Sequence, residues 1–136
     1  VRGDEGYPYA VPLSYVYEEG RLFFHGAAAG HRRDAVLRDP KASFCVIGGD
    51  RVVPEEYTTY FRSVIVFGKI RILEEEAEKR SAIEKLAEKY SPRQEDGRQR
   101  EIDRGFSALC MMELTVEHMT GKEAIELVRE KNSSSV

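Results

Sequence analysis

Tyr, Val, Leu and Pro crowd the stretch from Tyr7 to Tyr17, which reads as a strand. Pro8 and Pro12, lacking an N–H for a ladder bond, confine it to an edge, a bulge or a ligand-facing position. Glu18-Glu19-Gly20 supplies a turn and Arg21 to His25 a second strand, so the two segments form a hairpin. After Gly26, the small residues Ala27-Ala28-Ala29-Gly30 lead into a short helix, His31 to Arg38, stopped by Asp39-Pro40. Lys41 to Ile47 reads as a third strand ended by Gly48-Gly49-Asp50, and Pro54 to Tyr60 as an irregular loop. The strand from Phe61 to Leu73 is long. Ser63, Ile65 and Phe67 point one way and Val64, Val66, Ile70 and Ile72 mostly the other, which predicts burial on both faces, in a barrel or against a partner.

Glu74 to Tyr90 is the clearest helix. Ala77, Ile83, Leu86, Ala87 and Tyr90 share one stripe, and Glu74-Glu75-Glu76 suit the positive helix start. Pro92 to Arg104 is polar and reads as loop with a helical turn. Phe106 to Val116 is the last strand, with Phe106, Ala108, Cys110, Met112, Leu114 and Val116 on one side. Thr120-Gly121-Lys122-Glu123 fits a capping box opening a final helix to about Lys131. This order lacks the regular βα alternation of a doubly wound sheet, so a mainly β fold is expected: a partly open antiparallel barrel flanked by helices. One domain covers residues 1–131, and 132–136, with Ser133-Ser134-Ser135, reads as a disordered tail.

At 136 residues the chain is long enough for one core but not two independent ones. No apolar run approaches the roughly 20 residues of a bilayer-crossing helix, so no membrane partner is expected. The formal net charge of -3 argues against nucleic acid, whose phosphates call for a basic footprint. Cys45 and Cys110 have no paired spacing and read as plain buried thiols. Few cysteines and no signal peptide suggest a reducing cytoplasm. The opening Val1 to Gly6 reads like the end of a strand entering a turn, as though residues precede it.

Candidate chemistry concentrates in His25-Gly26-Ala27-Ala28-Ala29-Gly30-His31-Arg32-Arg33. Backbone N–H groups at a helix start attract anions, small residues let a ligand approach, and a guanidinium can hold phosphate oxygens through two bonds. Phosphate binding is one reading; a solvated Arg-Arg surface is the other. His25 and His118, taken alone, are more often hydrogen-bonded structural histidines than catalytic ones. Ser63 lacks the His and Asp company of a hydrolase nucleophile, and three scattered histidines make no recognisable metal site.

Together, Tyr7-Pro8-Tyr9-Ala10-Val11-Pro12-Leu13-Ser14-Tyr15, then His25-Gly26-Ala27 with Gly30 and Arg32, then Tyr60-Phe61-Arg62-Ser63-Val64 with Gly68, resemble the FMN-binding split-barrel family. The nearest branch is that of the nitroimidazole-resistance and pyridoxamine 5'-phosphate oxidase-like proteins. The resemblance implies an antiparallel split β-barrel and a homodimer with FMN lying between subunits. Ala10, Val11, Pro12, Leu13 and Ser14 would lie along the flavin ring. His25, Gly26, Ala27, Gly30 and Arg32 would hold the ribityl phosphate, and Ser63 with Val64 would add contacts. The family has Lys or Arg at the position of Arg32; His31 and Arg33 flank it here, which leaves the assignment among the three open by one place. The loop Tyr57 to Tyr60 would cap the ring, and His118 to Lys122 would approach the partner's flavin.

The activity so implied is a flavin-dependent oxidoreductase passing electrons from a small donor such as reduced nicotinamide to a small acceptor such as a nitroaromatic, with His25 as proton donor or substrate contact. Pyridoxamine 5'-phosphate oxidase activity itself is disfavoured, because no second phosphate site for that substrate is found. The alternatives are a non-catalytic flavin-binding or sensing protein and a haem-binding split barrel with His118 as axial ligand.

Overall fold

A computed structural model describes residues 1–134. In chain order the elements are β1 (Val16–Glu18), β2 (Arg21–Ala27), α1 (His31–Arg38), β3 (Lys41–Val53), β4 (Thr58–Ile72), α2 (Glu76–Tyr90), α3 (Glu95–Gly105), β5 (Leu109–Glu123) and α4 (Ile125–Ser134). The antiparallel sheet has the order β1-β2-β5-β4-β3 and is not closed on itself. Contacts group the chain into two units, Val1–Ala42 with Gly68–Val116, and Ser43–Phe67 with the residues from Glu117 onward.

In the first unit, Glu19 (φ 47°) and Gly20 (φ 79°) form a tight turn with two left-handed residues, whose twist suits the hairpin that pairs Val16 with Phe23. Strand β2 then pairs with β5 from Arg21 opposite Thr115 to Ala27 opposite Leu109. Phe23, Leu73, Ala82, Leu86 and Met111 form a buried cluster, with Val16, Ile83 and Leu109 packed against it. On α2 the buried stripe is Ala82 and Leu86; Ala77 is exposed and the helix starts at Glu76 rather than Glu74. Glu113 is the one buried charged residue among the described residues, and it is bonded by Arg71, whose Nε donates to Oε1 at 2.9 Å and whose Nη2 donates to Oε2 at 3.2 Å. Arg71 also reaches Glu78.

Two further expectations for this unit are corrected. The strand foreseen from Tyr7 to Tyr17 is paired only at Val16–Glu18 and at a single bridge between Arg2 and Pro8, around a 3-10 turn at Asp4–Gly6. Pro8 and Pro12 have no N–H to offer a ladder, so the intervening backbone runs without a partner strand. The polar stretch after Pro92 folds as α3, because Glu95 and Asp96 suit its start, Arg104 suits its end, and buried Ile102 anchors it. Arg80 adds a 2.8 Å bond to Asp103.

In the second unit, β3 does not stop at Gly48-Gly49-Asp50 but continues to Val53, and a 3-10 turn at Pro54–Glu56 with left-handed Tyr57 returns the chain into β4. The Tyr60 hydroxyl donates to Glu56 at 2.6 Å, and the Arg51 guanidinium sits 4.9 Å from the Tyr60 ring. Thr120 to Glu123 is strand, not a capping box: Glu123 accepts from Arg62 Nε at 2.5 Å and pairs with Lys131, so its carboxylate is engaged away from the helix start. Helix α4 includes residues 132–134, foreseen as tail; Ser135 and Val136 lie outside the described residues.

On β4 the expected two-sided burial is not met in the single chain: Val66 is buried while Phe67 is 45% exposed. Cys45 is exposed on β3, whereas Cys110 is buried as foreseen. No helix among the described residues is long and apolar enough to cross a membrane.

Candidate functional site

Strand β2 ends in His25-Gly26-Ala27, the exposed Ala28 and Ala29 follow, and Gly30 takes φ 131° before α1 begins. That angle is one side chains resist, and glycine permits the sharp entry into the helix. Gly30 has no side chain to cap the helix, and the first intrahelical bond runs from the Asp34 amide to the Gly30 carbonyl. The amides of His31, Arg32 and Arg33 therefore precede the ladder, at the positive end of α1.

Arg32 folds back across β2. Its Nη2 donates to the His25 carbonyl at 3.2 Å, and a β-carbon on Gly26 would stand only 1.7 Å from that nitrogen. Gly26 thus provides the slot in which the guanidinium lies. Arg32 Nε is buried and has no hydrogen-bond partner among the described residues, a costly state for a guanidinium nitrogen. Gly26 pairs with Cys110 on β5. Burial pushes the Cys110 thiol up, and the nearby positive charges of Arg33, Arg32 and Lys79 oppose that shift. Three cations therefore gather around the same end of β2 and β5.

His31 is turned to a different task. Its Nδ1 lies 3.0 Å from Asp4 Oδ2, and its ring meets Tyr9 edge-on at 4.5 Å. Arg38 bonds the other Asp4 oxygen at 2.7 Å, and this bond, foremost, holds the Asp4 carboxyl below its ordinary value. Of the three basic residues left open by the sequence, His31 fastens the N-terminal segment, Arg32 lies in the Gly26 slot, and Arg33 is half-buried beside it.

His25 is exposed, opposite buried Met111. Across Ala10 to Ser14, the residues Ala10, Pro12 and Ser14 are exposed and Val11 and Leu13 half-buried. This segment has no strand partner; the Tyr9 amide bonds the Val1 carbonyl at one end, and Tyr15 is gripped by Lys89 and Tyr90 at the other. Ser63 and Val64 belong to the second unit, half-buried on β4, with the Ser63 carbonyl 4.0 Å from where a β-carbon on Gly121 would stand. In that unit the exposed His118 ring stacks on Phe67 at 6.1 Å, and Tyr57 is 97% exposed. Sequence reasoning missed Lys79 and Lys89, for which no signal exists in a charged helix, and placed Tyr90 only in the apolar stripe.

A family model described as pyridoxamine 5'-phosphate oxidase matches residues 1–123. The chain belongs to that family. Among solved structures, a candidate 5-nitroimidazole antibiotic resistance protein from Bacteroides thetaiotaomicron is 24% identical with a TM-score of 0.71, covering 89% of this chain and 72% of that one. A FAD- and haem-binding protein from Mycobacterium smegmatis is 19% identical with a TM-score of 0.72, over 88% of this chain and 61% of that one. The flavocytochrome Anf3 from Azotobacter vinelandii is 19% identical with a TM-score of 0.67, over 88% of this chain and 57% of that one. These likenesses establish the fold, the split barrel of the family, as the sequence motifs implied. No curated protein matches the chain.

Proposed function

We propose that this family member is an FMN-binding flavoprotein of the reducing cytoplasm, a homodimer with each flavin between subunits. In this reading it passes electrons from a small donor such as reduced nicotinamide to a small acceptor such as a nitroaromatic. The observation that carries the reading is Arg32, in the first turn of α1, whose guanidinium is seated in the Gly26 slot with a buried nitrogen that lacks an acceptor among the described residues. A phosphate at the start of α1 would draw the guanidinium onto its oxygens and give the buried nitrogen an acceptor, and the helix end favours its charge. The residues present therefore fit the phosphate end of the cofactor.

Bound flavin would supply the electron and hydride chemistry. Arg32 and the first α1 amides bind its phosphate, with Arg33 adding positive charge. Ala27 to Ala29 are small and exposed and leave the approach open. Ala10 to Ser14, unpartnered by any strand, would lie along the flavin ring and leave their backbone groups free to meet it. His25, exposed one residue before the slot, is the group placed to exchange a proton with a substrate.

A second reading starts from one observation: the exposed His118 ring, stacked on Phe67 at 6.1 Å, would be the axial ligand if the protein held haem. The absorption spectrum of the purified protein after exposure to FMN, FAD or haemin and desalting separates the readings. Retained flavin bands support the proposal, a Soret band supports haem instead, and a folded protein that retains no flavin refutes the flavin assignment.

A further inference from the structure

We propose that Lys89 and Tyr90 are positioning residues for the flavin ring: the last turn of α2 grips Tyr15 and so sets where the Ala10–Ser14 segment lies. The inference rests on the flavin-binding reading above. A segment paired in a sheet would have its place fixed by its neighbours, but β1 begins only at Val16 and the N-terminal bridge ends at Pro8. Between them the chain depends on side chains reaching out from elsewhere.

Those side chains converge on one residue. The Tyr15 amide donates to the Tyr90 hydroxyl oxygen at 3.1 Å, and the same hydroxyl donates to the Tyr15 carbonyl at 3.2 Å. Lys89 Nζ donates to that carbonyl at 2.6 Å and lies 3.7 Å from the centre of the Tyr15 ring and 5.0 Å from that of Tyr90. With both its N–H and its C=O held, the Tyr15 backbone is fixed in direction, and the five residues before it leave along a set line. The α2 helix is a firm base for this grip, because Ala82 and Leu86 are buried in the core cluster. Burial pushes the Tyr90 phenol up, yet the bonds from the Tyr15 amide, Lys89 and Ser14 outweigh it and leave the phenol below its ordinary value. The hydroxyl is thus an acceptor as well as a donor, as the geometry requires.

The test compares Tyr90→Phe, Lys89→Met and Arg32→Ala in full-length protein, titrated with FMN and with riboflavin. It also records the visible circular dichroism of the bound flavin and the amide exchange of Tyr15 without ligand. Lys89→Met, which removes one hydrogen bond of the grip, should weaken FMN and riboflavin alike by about fivefold, and Tyr90→Phe, which removes two, by about 30-fold; both should alter the flavin dichroism and speed Tyr15 exchange. Arg32→Ala should weaken FMN alone and leave Tyr15 exchange unchanged. If Tyr90→Phe does not fold, Lys89→Met decides. Wild-type affinity and dichroism in a folded grip variant overturn the positioning role while leaving the flavin assignment intact. Absence of any flavin binding by the wild type overturns both.

Discussion

Gly26 and Gly68 both lack room for a β-carbon, yet alanine at the two positions should differ in its cost to stability. At Gly68 the added carbon would stand 2.0 Å from the Thr115 carbonyl oxygen and 3.0 Å from Leu114 Cδ2. The nearer atom is backbone of β5, so no rotamer change relieves the clash and β4 must move away. Leu114 is fully buried, which leaves no space for that movement. Overpacking costs about 1–3 kcal/mol when side chains absorb it, and a backbone clash belongs at the top of that range, about 3 kcal/mol. At Gly26 the added carbon would stand 1.7 Å from Arg32 Nη2 and 2.9 Å from Cζ, the far end of a flexible side chain. Arg32 swings out at the cost of one exposed bond to the His25 carbonyl, roughly 0.5–1 kcal/mol. Urea denaturation followed by far-ultraviolet circular dichroism checks both. With a slope of about 2 kcal/mol per molar urea, Gly68→Ala should lower the midpoint by roughly 1.5 M and Gly26→Ala by less than about 0.5 M. Gly26→Ala should nevertheless lose FMN affinity, because the guanidinium has left its slot. Equal destabilisation by the two changes, or a stable Gly68→Ala protein, would refute this reasoning.

Removing Arg71 by Arg71→Met leaves the buried Glu113 carboxylate with only the more distant Arg21 at 3.6 Å, and should cost about 2 kcal/mol, discounted because the Arg71 side chain is half exposed; Glu113→Gln in the same denaturation assay should cost less. The carboxyls of Glu78, Asp4 and Glu123 are held low chiefly by bonds from Arg71, Arg38 and Arg62. The unfolded chain binds protons there more readily, so this stability is complete above the ordinary carboxylate range and is lost as pH falls below about 4; a stability profile flat through that range would contradict it. The Tyr60 phenol is pushed up to about 12 by its bond to Glu56. Its contribution is complete below the ordinary phenol value and is lost as pH rises from about 10 towards that higher value, which Glu56→Gln should abolish in a phenolate absorbance titration. His25→Ala should keep FMN but slow single-turnover reduction of an acceptor by about 100-fold or more if His25 supplies the proton, whereas an unchanged rate removes that role.

Helix α1 was legible to the residue, because Gly30 and Asp39-Pro40 punctuate it on both sides and those signals are local. The β1–β2 turn was legible for the same reason. The Tyr7–Tyr15 segment was not, since β-prone composition reports an extended backbone but not whether a neighbour exists to pair with it. Thr120 to Glu123 has the local chemistry of a capping box, but Arg62 and Lys131 claim the Glu123 carboxylate, and Arg62 is far away in sequence. Cys45 looked buried because its neighbours are apolar, while strand alternation turns Phe44 and Val46 inward and Cys45 outward. At the candidate site, basic residues at a helix start were readable as chemistry. That His31 turns to Asp4 while Arg32 lies over Gly26 depends on side-chain paths that spacing does not encode.

The claim on which the account turns is that Arg32 holds a flavin phosphate, and the direct measurement is a titration of wild type and Arg32→Ala with FMN and with riboflavin, which lacks the phosphate. Loss of a charge-assisted bond of about 1.5–3 kcal/mol predicts FMN binding weakened by roughly 10- to 150-fold with riboflavin binding unchanged. Equal FMN affinity in the two proteins, or equal weakening for both ligands, would contradict it.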